Sequence, residues 1–348
     1  MTSRLESVVD AILRHGQIRI KAVYAPEHGF RGDRGAGASV ASYVDPQTHL
    51  PVNSLYGASR HPSAAMLDGV DVLLFDIQDV GSRAYTYIST MAYAMQSARQ
   101  FGKEFWVLDR PNPIGGTVEG PILEPPYESF IGLYPIAMRH GMTVGELATL
   151  FNDRFGIGAK LRVVRMNGWQ HSMIWPDTGL QWVPTSPNIP DWRTTIVYVG
   201  TGLLDNAGIN NGSGYTMPFF LAGTAGIDGT KLAARLNARN LPGVWFRPAA
   251  WTPYVGFWKD HELTGVELVV FEPRHFVAIR TAVEISVAIR DLFPHAINIQ
   301  NVAGLDRDWG TDSFRQALLA GKSADAILAQ WAPAVADFQA TRKRYLLY

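Results

Sequence analysis

The chain has 348 residues, and 31 lysines and arginines balance 31 aspartates and glutamates, so the formal net charge is zero. That balance argues against nucleic acid or an anionic membrane as partner, since both attract proteins through a basic excess. There is no cysteine, which excludes disulfides, cysteine-ligated zinc and a thiol nucleophile. Hydrophobic residues make up 47% and charged residues 18%, enough to bury a sizeable core, and no apolar run reaches the ~18 residues a membrane span needs.

Residues 1–16 do not read as a signal peptide, since they have no apolar stretch and no small-residue cleavage site. Leu5, Val8, Val9, Ile12 and Leu13 recur at helical spacing, with Ser3 and Glu6 as a capping box. An open α/β sheet more often begins on a strand, so an upstream strand is expected to precede this helix, and export is compatible with such a truncation. Residues 18–25 read as a strand, 26–61 as a long glycine-rich loop and 62–68 as a short helix. The run 70–77 reads as a strand buried on both faces. A helix over 86–101, a strand over 104–109 and a second long loop over 110–142 come next. Thr143 and Glu146 form the capping box of a helix to about Phe155, and 161–166 is a fourth strand. This βαβα order predicts an α/β fold with a Rossmann-like, doubly wound, mainly parallel sheet.

The second half differs. Residues 168–225 read mostly as loop, with Trp169, Trp175, Trp182 and Trp192. Asp228 caps a helix to about Asn240, 244–249 and 265–271 are strands, and 281–293, 311–320 and 322–343 are helices. The expected division is a Rossmann-like catalytic domain over 1–205 and a smaller C-terminal α/β domain over 206–348 that closes the cleft.

In an open α/β sheet the ligand lies beyond the carboxyl ends of the strands, and polar residues gather there repeatedly. Pro26-Glu27-His28-Gly29-Phe30-Arg31 follows the first strand. Gln78, Asp79, Arg83, Tyr85 and Tyr87 follow the second. Arg110, Asn112 and Glu119 follow the third, and Arg139, His140 and Asn188 come later. Such a set suits a polar small-molecule site. Each residue also has a plainer reading: Glu27 as a partner of Arg31, Asp76 as a partner of Arg83, the tryptophans as core. His28 and His140 lack metal-ligand spacing, and Arg31-Gly32-Asp33 is a coincidental tripeptide. Asn210-Asn211-Gly212-Ser213-Gly214 is a turn rather than a phosphate loop, and neither a dinucleotide fingerprint nor a nucleophile elbow is present.

The stretches PEHGFRG (26–32), LPVNSLYG (50–57), DVLLFDIQDVGSRAYTYISTM (71–91), VLDRPNPIGG (107–116), VEGP (118–121), RHGMTVGELA (139–148), SPN (186–188), GTDSFRQALLAG (310–321) and RKRYLLY (342–348) closely resemble the DUF1343 family, which includes the NamZ-type exo-β-N-acetylmuramidases. The resemblance covers almost the whole chain. It implies a cleft between two domains and hydrolysis of a terminal, non-reducing β-1,4-linked N-acetylmuramic acid from peptidoglycan fragments. It implies no cofactor and no metal, and a small-molecule glycan as the only partner. Nothing in the sequence speaks to oligomeric state. Glu27 matches the glutamate of the family's PEHG motif and is the acid/base candidate. Glycoside hydrolysis usually needs a second carboxylate, for which Asp79 and Glu119 are candidates. Arg83, Arg110 or Arg139 would hold the lactyl carboxylate. His28, Arg31, Tyr85, Tyr87, Asn112, His140, Asn188 and Asn211 complete the expected binding set. The family's upstream strand has no counterpart here. In the 205–215 loop the family's second glutamate falls on Asn211 and its arginine on Ser213, so a glycan-binding protein, or an exo-glycosidase of other sugar specificity, is the alternative reading. A nucleotide-using enzyme is a third, on fold analogy alone.

Overall fold

The computed structural model describes residues 2, 4–299 and 301–348. The first part of the chain forms α1 (Val8–His15), β1 (Val23–Ala25), β2 (Tyr43–Val44), β3 (Pro51–Ser54), β4 (Val72–Phe75), α2 (Tyr87–Gln100), β5 (Glu104–Leu108), β6 (Glu119–Ile122), β7 (Ala137–Arg139), α3 (Val144–Arg154) and β8 (Lys160–Val164). The remainder forms α4 (Trp192–Thr201), β9 (Leu221–Thr224), α5 (Gly229–Asn237), β10 (Val244–Trp251), β11 (Leu263–Val270), α6 (Ala278–Leu292), α7 (Val302–Trp309), α8 (Ser313–Leu319), α9 (Ala324–Ala329) and α10 (Ala332–Arg342).

The first half is organised by the parallel sheet β4-β5-β8, with Leu73 opposite Phe105 and Phe105 opposite Leu161. Leu73, Phe75, Phe105 and Val107 point to one face, where Met91 and Met95 of α2 and Leu147 and Phe151 of α3 cover them. Val72 and Leu74 alternate to the other face and are 37% and 42% exposed. The all-apolar run Val72–Phe75 suggests burial on both faces, but the structure covers only one with helix. The open face fronts a groove of about 1340 Å³ that Val8, Val9 and Ile12 of α1 also line. The second half carries an antiparallel sheet of order β10-β11-β9, packed with α5 and α6. Asp228 caps α5 as the sequence indicates, accepting from the Thr230 and Lys231 N–H groups. The capping box of Thr143 and Glu146 on α3 is likewise formed.

Several elements differ from the sequence reading. The first strand is only Val23–Ala25, because its partner β3 reaches no further. The loop 26–61 contains β2 and β3, and 110–142 contains the hairpin-like pair β6-β7. Residues 62–68 form turns rather than a helix, being too short a run between Pro62 and the left-handed Gly69. The stretch 168–225 hides α4 and β9. Thr194, Thr195, Ile196 and Val197 are β-branched and poor helix formers, and α4 is carried by burial against α6. Gly200 permits that approach: a Cβ there would stand 2.2 Å from the Ala278 carbonyl oxygen. The helix α7 has no counterpart in the sequence reading, and 322–343 breaks into α9 and α10 before Pro333. Ser3 lies outside the described residues, and α1 starts after Ser7 with no side-chain cap.

The two halves share one apolar cluster, in which Val80, Tyr85, Ile114 and Met138 pack with Ile196, Leu204, Ile279 and Trp309. Polar ties also cross the seam, among them two from buried side chains. The Arg83 guanidinium, fully buried, donates to the carbonyl oxygens of Pro121 (2.9 Å), Ile136 (3.1 Å), Asp308 (3.4 Å) and Trp309 (2.7 Å); burial brings its pKa down to about 9. Glu119, ion-paired with Arg139, also accepts the Ile279 N–H at 3.1 Å. Val277 gives α6 no side-chain cap, so Glu119 supplies one from a distant strand. Replacing Arg83 by Met would leave buried carbonyls unpaired. We expect a stability loss of ~3–5 kcal/mol, read from urea unfolding; an unchanged midpoint would show that the seam does not depend on this side chain.

Candidate active site

The PEHG segment leaves β1 in a tight turn. Gly29 N–H donates to Pro26 O at 3.1 Å, and His28 takes φ 70°, the positive φ that a type II turn needs at its third position. The His28 ring is fixed by its Nδ1, 2.9 Å from Arg34 O. This turn aims Glu27 inward. One of its oxygens accepts Gly37 N–H at 2.8 Å and the other the Thr86 hydroxyl at 2.7 Å. Thr86 stands at the N-cap of α2 but makes no cap bond to its own helix; its hydroxyl serves Glu27 instead, and the positive end of α2 favours a carboxylate at that point. Burial, with the Glu27 charge second, pushes the neighbouring Tyr56 phenol up.

A column of rings runs from Glu27 across the seam. His28 stacks edge-on against Tyr87 at 6.3 Å, Tyr87 against Tyr85 at 4.8 Å, Tyr85 against Tyr198 at 6.0 Å and Tyr198 against Phe219 at 4.8 Å. The Tyr87 hydroxyl donates to Thr185 O at 2.8 Å, while the buried Tyr85 hydroxyl has no partner among the described residues. Tyr198 lies in the combined field of Glu27, Asp308 and Asp79, which adds to burial in raising its phenol pKa. Asp79 Oδ2 accepts Gly81 N–H at 2.7 Å and faces His140 Nε2 at 3.3 Å. Met142 N–H donates to His140 Nδ1 at 3.2 Å, so Nδ1 is the acceptor and the proton sits on Nε2, toward Asp79. Asp79 Oδ1 is buried without a partner among the described residues. Gly81 (φ 85°) is required here: a Cβ would stand 2.6 Å from both Asn112 and Ile114 side-chain atoms.

The structure thus brings Glu27, His28, Tyr85 and Tyr87 together and sets Asp79 against His140. It places the other sequence candidates elsewhere or ties them internally. Glu119 and Arg139 form the buried pair already described, with Arg139 also donating to Ile114 O at 2.6 Å. Arg83 faces only carbonyls, so the pairing of Asp76 with Arg83 gives way to Asp76 with Arg110, Nε to Oδ1 at 2.8 Å. Arg31 pairs with Asp45 at 2.7 Å rather than with Glu27. Asn112 bridges Ile114 N–H and Met142 O, and Asn211 bridges Ser213 N–H and Thr201 O; both amides are occupied by backbone. Asn188 is half-buried in the loop after Ser186. Arg31, Arg110, Tyr87, Trp175 and Thr185 line the groove beside the carboxyl ends of β4 and β5. Trp169 and Trp175 are largely buried, as core residues are. Sequence reasoning missed Thr86, although it stands between two predicted site tyrosines. It missed Tyr198 because α4 was not read.

A buried glutamate just past β1, a buried aspartate against His140 and a column of phenols are groups that suit a glycosidase. The particular family is fixed by comparison. The chain matches the N-terminal model of the exo-β-N-acetylmuramidase NamZ over residues 1–193 and the C-terminal model over 196–348, and it belongs to that family. It is 45% identical to the peptidoglycan β-N-acetylmuramidase NamZ of Bacillus subtilis (strain 168), over 100% of this chain and 84% of the relative. Two DUF1343 family proteins from Bacteroides fragilis NCTC 9343, known from crystal structures, share the fold. One is 36% identical with TM-score 0.92, over 99% of this chain and 91% of the other; the second is 28% identical with TM-score 0.75, over 99% and 90%.

The loop behind Glu27 depends on Arg31 and Asp45. The Arg31 hydrogen bond, with help from Thr48, holds the Asp45 carboxyl well below the usual carboxylate range. A depressed pKa in the folded state stabilises fully above the ordinary value of about 4 and is lost as pH falls through the lower folded value. At neutral pH, Asp45→Asn should therefore loosen the loop, and trypsin should cut at the exposed Arg34 several-fold faster than in the wild type. Equal cleavage rates would remove Asp45 from this role.

Proposed function

We propose that this chain is an exo-acting glycoside hydrolase that releases terminal non-reducing N-acetylmuramic acid from peptidoglycan fragments. The observation that carries the reading is the whole-chain likeness to a peptidoglycan β-N-acetylmuramidase, together with a buried family-motif glutamate whose two oxygens are held by Gly37 N–H and Thr86. Glu27 gives its proton to the glycosidic oxygen as the bond to the leaving sugar breaks, and charge develops on the ring. Asp79 is the second carboxylate. It keeps one oxygen unbonded, while the other accepts Gly81 N–H and stands 3.3 Å from His140 Nε2. Glu119 is not assigned this part, because its oxygens are taken by Arg139 and Ile279. Tyr85 and Tyr87 wall the sugar, and their rings are held by edge-on stacking. Arg110, at the groove, is the guanidinium placed to meet the lactyl carboxylate, sharing itself with Asp76.

The roles separate by substitution. With the β-1,4-linked N-acetylmuramic acid–N-acetylglucosamine disaccharide as substrate, Glu27→Gln and Asp79→Asn should each lower kcat by ~100-fold or more. Glu119→Gln should instead lower the unfolding midpoint. A Glu27→Gln protein with full activity would overturn the assignment of Glu27. A wild-type chain that releases no N-acetylmuramic acid would overturn the activity.

A further inference from the structure

The roles above leave the β3 side of Glu27 without an assignment. The parallel pairing of β1 with β3 sets Ala25 beside Ser54, and Leu55 N–H donates to Ala25 O at 2.8 Å. Continued for two residues, that register brings Tyr56 beside Glu27. Burial, the Glu27 charge and a hydrogen bond to Glu27, in that order, push the Tyr56 phenol up. A second set of rings starts at Tyr56. Its ring lies 5.9 Å from Phe130, Phe130 stacks on Tyr93 of α2 at 5.8 Å, and Tyr93 stacks on His61 at 4.1 Å. Arg60 sits over this set, with its Cζ 3.9 Å from the centre of the Phe130 ring and 5.6 Å from that of Tyr56. A turn holds it there: the Ser59 hydroxyl accepts His61 N–H at 3.1 Å and donates to His61 O at 2.9 Å. Arg60 is exposed, and it makes neither an ion pair nor a hydrogen bond among the described residues. Stacking on a ring fixes the plane of a guanidinium and leaves its N–H fork free. An arginine held in this way one residue's reach from the acid/base candidate, with no acid of its own, fits an acidic group that the substrate brings.

We propose that Arg60 binds a carboxylate of the glycan on the leaving side of the scissile bond, with Tyr56 and Phe130 as the wall of that subsite. The proposal rests on the muramidase reading and extends the site beyond the terminal sugar. An exo-acting site has a closed end for the terminal residue and an open end through which the rest of the glycan passes. Tyr85 and Tyr87 are buried, whereas Tyr56 is half-buried and Arg60 exposed, so the open end runs past Tyr56. In peptidoglycan, N-acetylglucosamine alternates with N-acetylmuramic acid. A glycan cleaved behind its terminal muramic acid therefore presents a neutral sugar first and a lactyl carboxylate on the residue after it. The neutral sugar suits the ring and phenol of Tyr56, and the guanidinium fork matches the planar carboxylate.

The wild type is assayed on the same disaccharide and on the β-1,4-linked trisaccharide N-acetylmuramic acid–N-acetylglucosamine–N-acetylmuramic acid. The trisaccharide should have the higher kcat/KM, by about 5-fold and through a lower KM, as an exposed ion pair supplies. A trisaccharide with a methyl ester on its last lactyl group alone should lose that preference, and so should Arg60→Ala acting on the free acid. Arg60→Lys, which keeps the charge without the fork, should keep part of it. Salt at 1 M, where screening acts within ~3 Å, should erode it in the wild type. The ester needs no variant, so it tests the idea even if Arg60→Ala does not fold. Equal kcat/KM for the trisaccharide and its ester in the wild type would overturn the proposal. So would an Arg60→Ala protein that loses equally on disaccharide and trisaccharide. A wild-type chain that binds the free acid more tightly than the ester in calorimetry, yet releases no N-acetylmuramic acid, would overturn the hydrolase reading and leave the carboxylate contact standing.

Discussion

Arg83 carries a positive charge into the seam between the two halves and meets four carbonyl oxygens there. A buried guanidinium is tolerable only when its donors are answered. Here the two terminal nitrogens are answered by three separate stretches of chain, β6, the approach to β7 and the end of α7, while Nε has no partner among the described residues. Anchoring Arg83 also anchors its neighbours in the chain. Tyr85, Thr86 and Tyr87 lie two to four residues on, so the group that bonds Glu27 and the rings that wall the cleft are set by the same side chain. On the far side the backbone carbonyls of Asp308 and Trp309 are held by the same guanidinium, so the Glu27 turn and the end of α7 are registered to one another through a single residue.

The seam also explains the choice of roles among the carboxylates. Glu119 looks like a second catalytic group in sequence, yet it is occupied in tying β6 to Arg139 and to the start of α6. Asp79 keeps a free oxygen because Gly81 turns the chain away, and because Asn112 and Ile114 fill the space a side chain at that position would need. The Glu27 turn depends on a left-handed His28 and on the Arg31–Asp45 pair behind it. Scaffold and site are therefore hard to separate. The residues that bind backbone hold the geometry.

Much of this was legible in the sequence. The parallel strands announced themselves as apolar runs, the capping box at Thr143 and the cap at Asp228 fixed two helices, and Glu27, Asp79, Tyr85, Tyr87 and His140 stood out because they follow strands or belong to the family motifs. The features that stayed hidden depend on partners far away in the chain. An arginine that bonds only carbonyls leaves no complementary charge to find, so Arg83 read as a ligand-binding group. The run Val72–Phe75 is apolar throughout, which hides that one face stays open. The β-branched α4 and the short α7 are helices sustained by packing, and with α4 the ring of Tyr198 escaped notice.

The central claim is that the sugar is cleaved between Glu27 and Asp79 under the ring column of the seam. A crystal structure of the Glu27→Gln protein with the intact disaccharide tests it most directly. The account predicts the glycosidic oxygen within hydrogen-bond distance of residue 27, with Asp79 near the reacting carbon and Tyr85 and Tyr87 against the sugar. A disaccharide seated instead on the open sheet face beside α1, with no atom near residue 27, would contradict it.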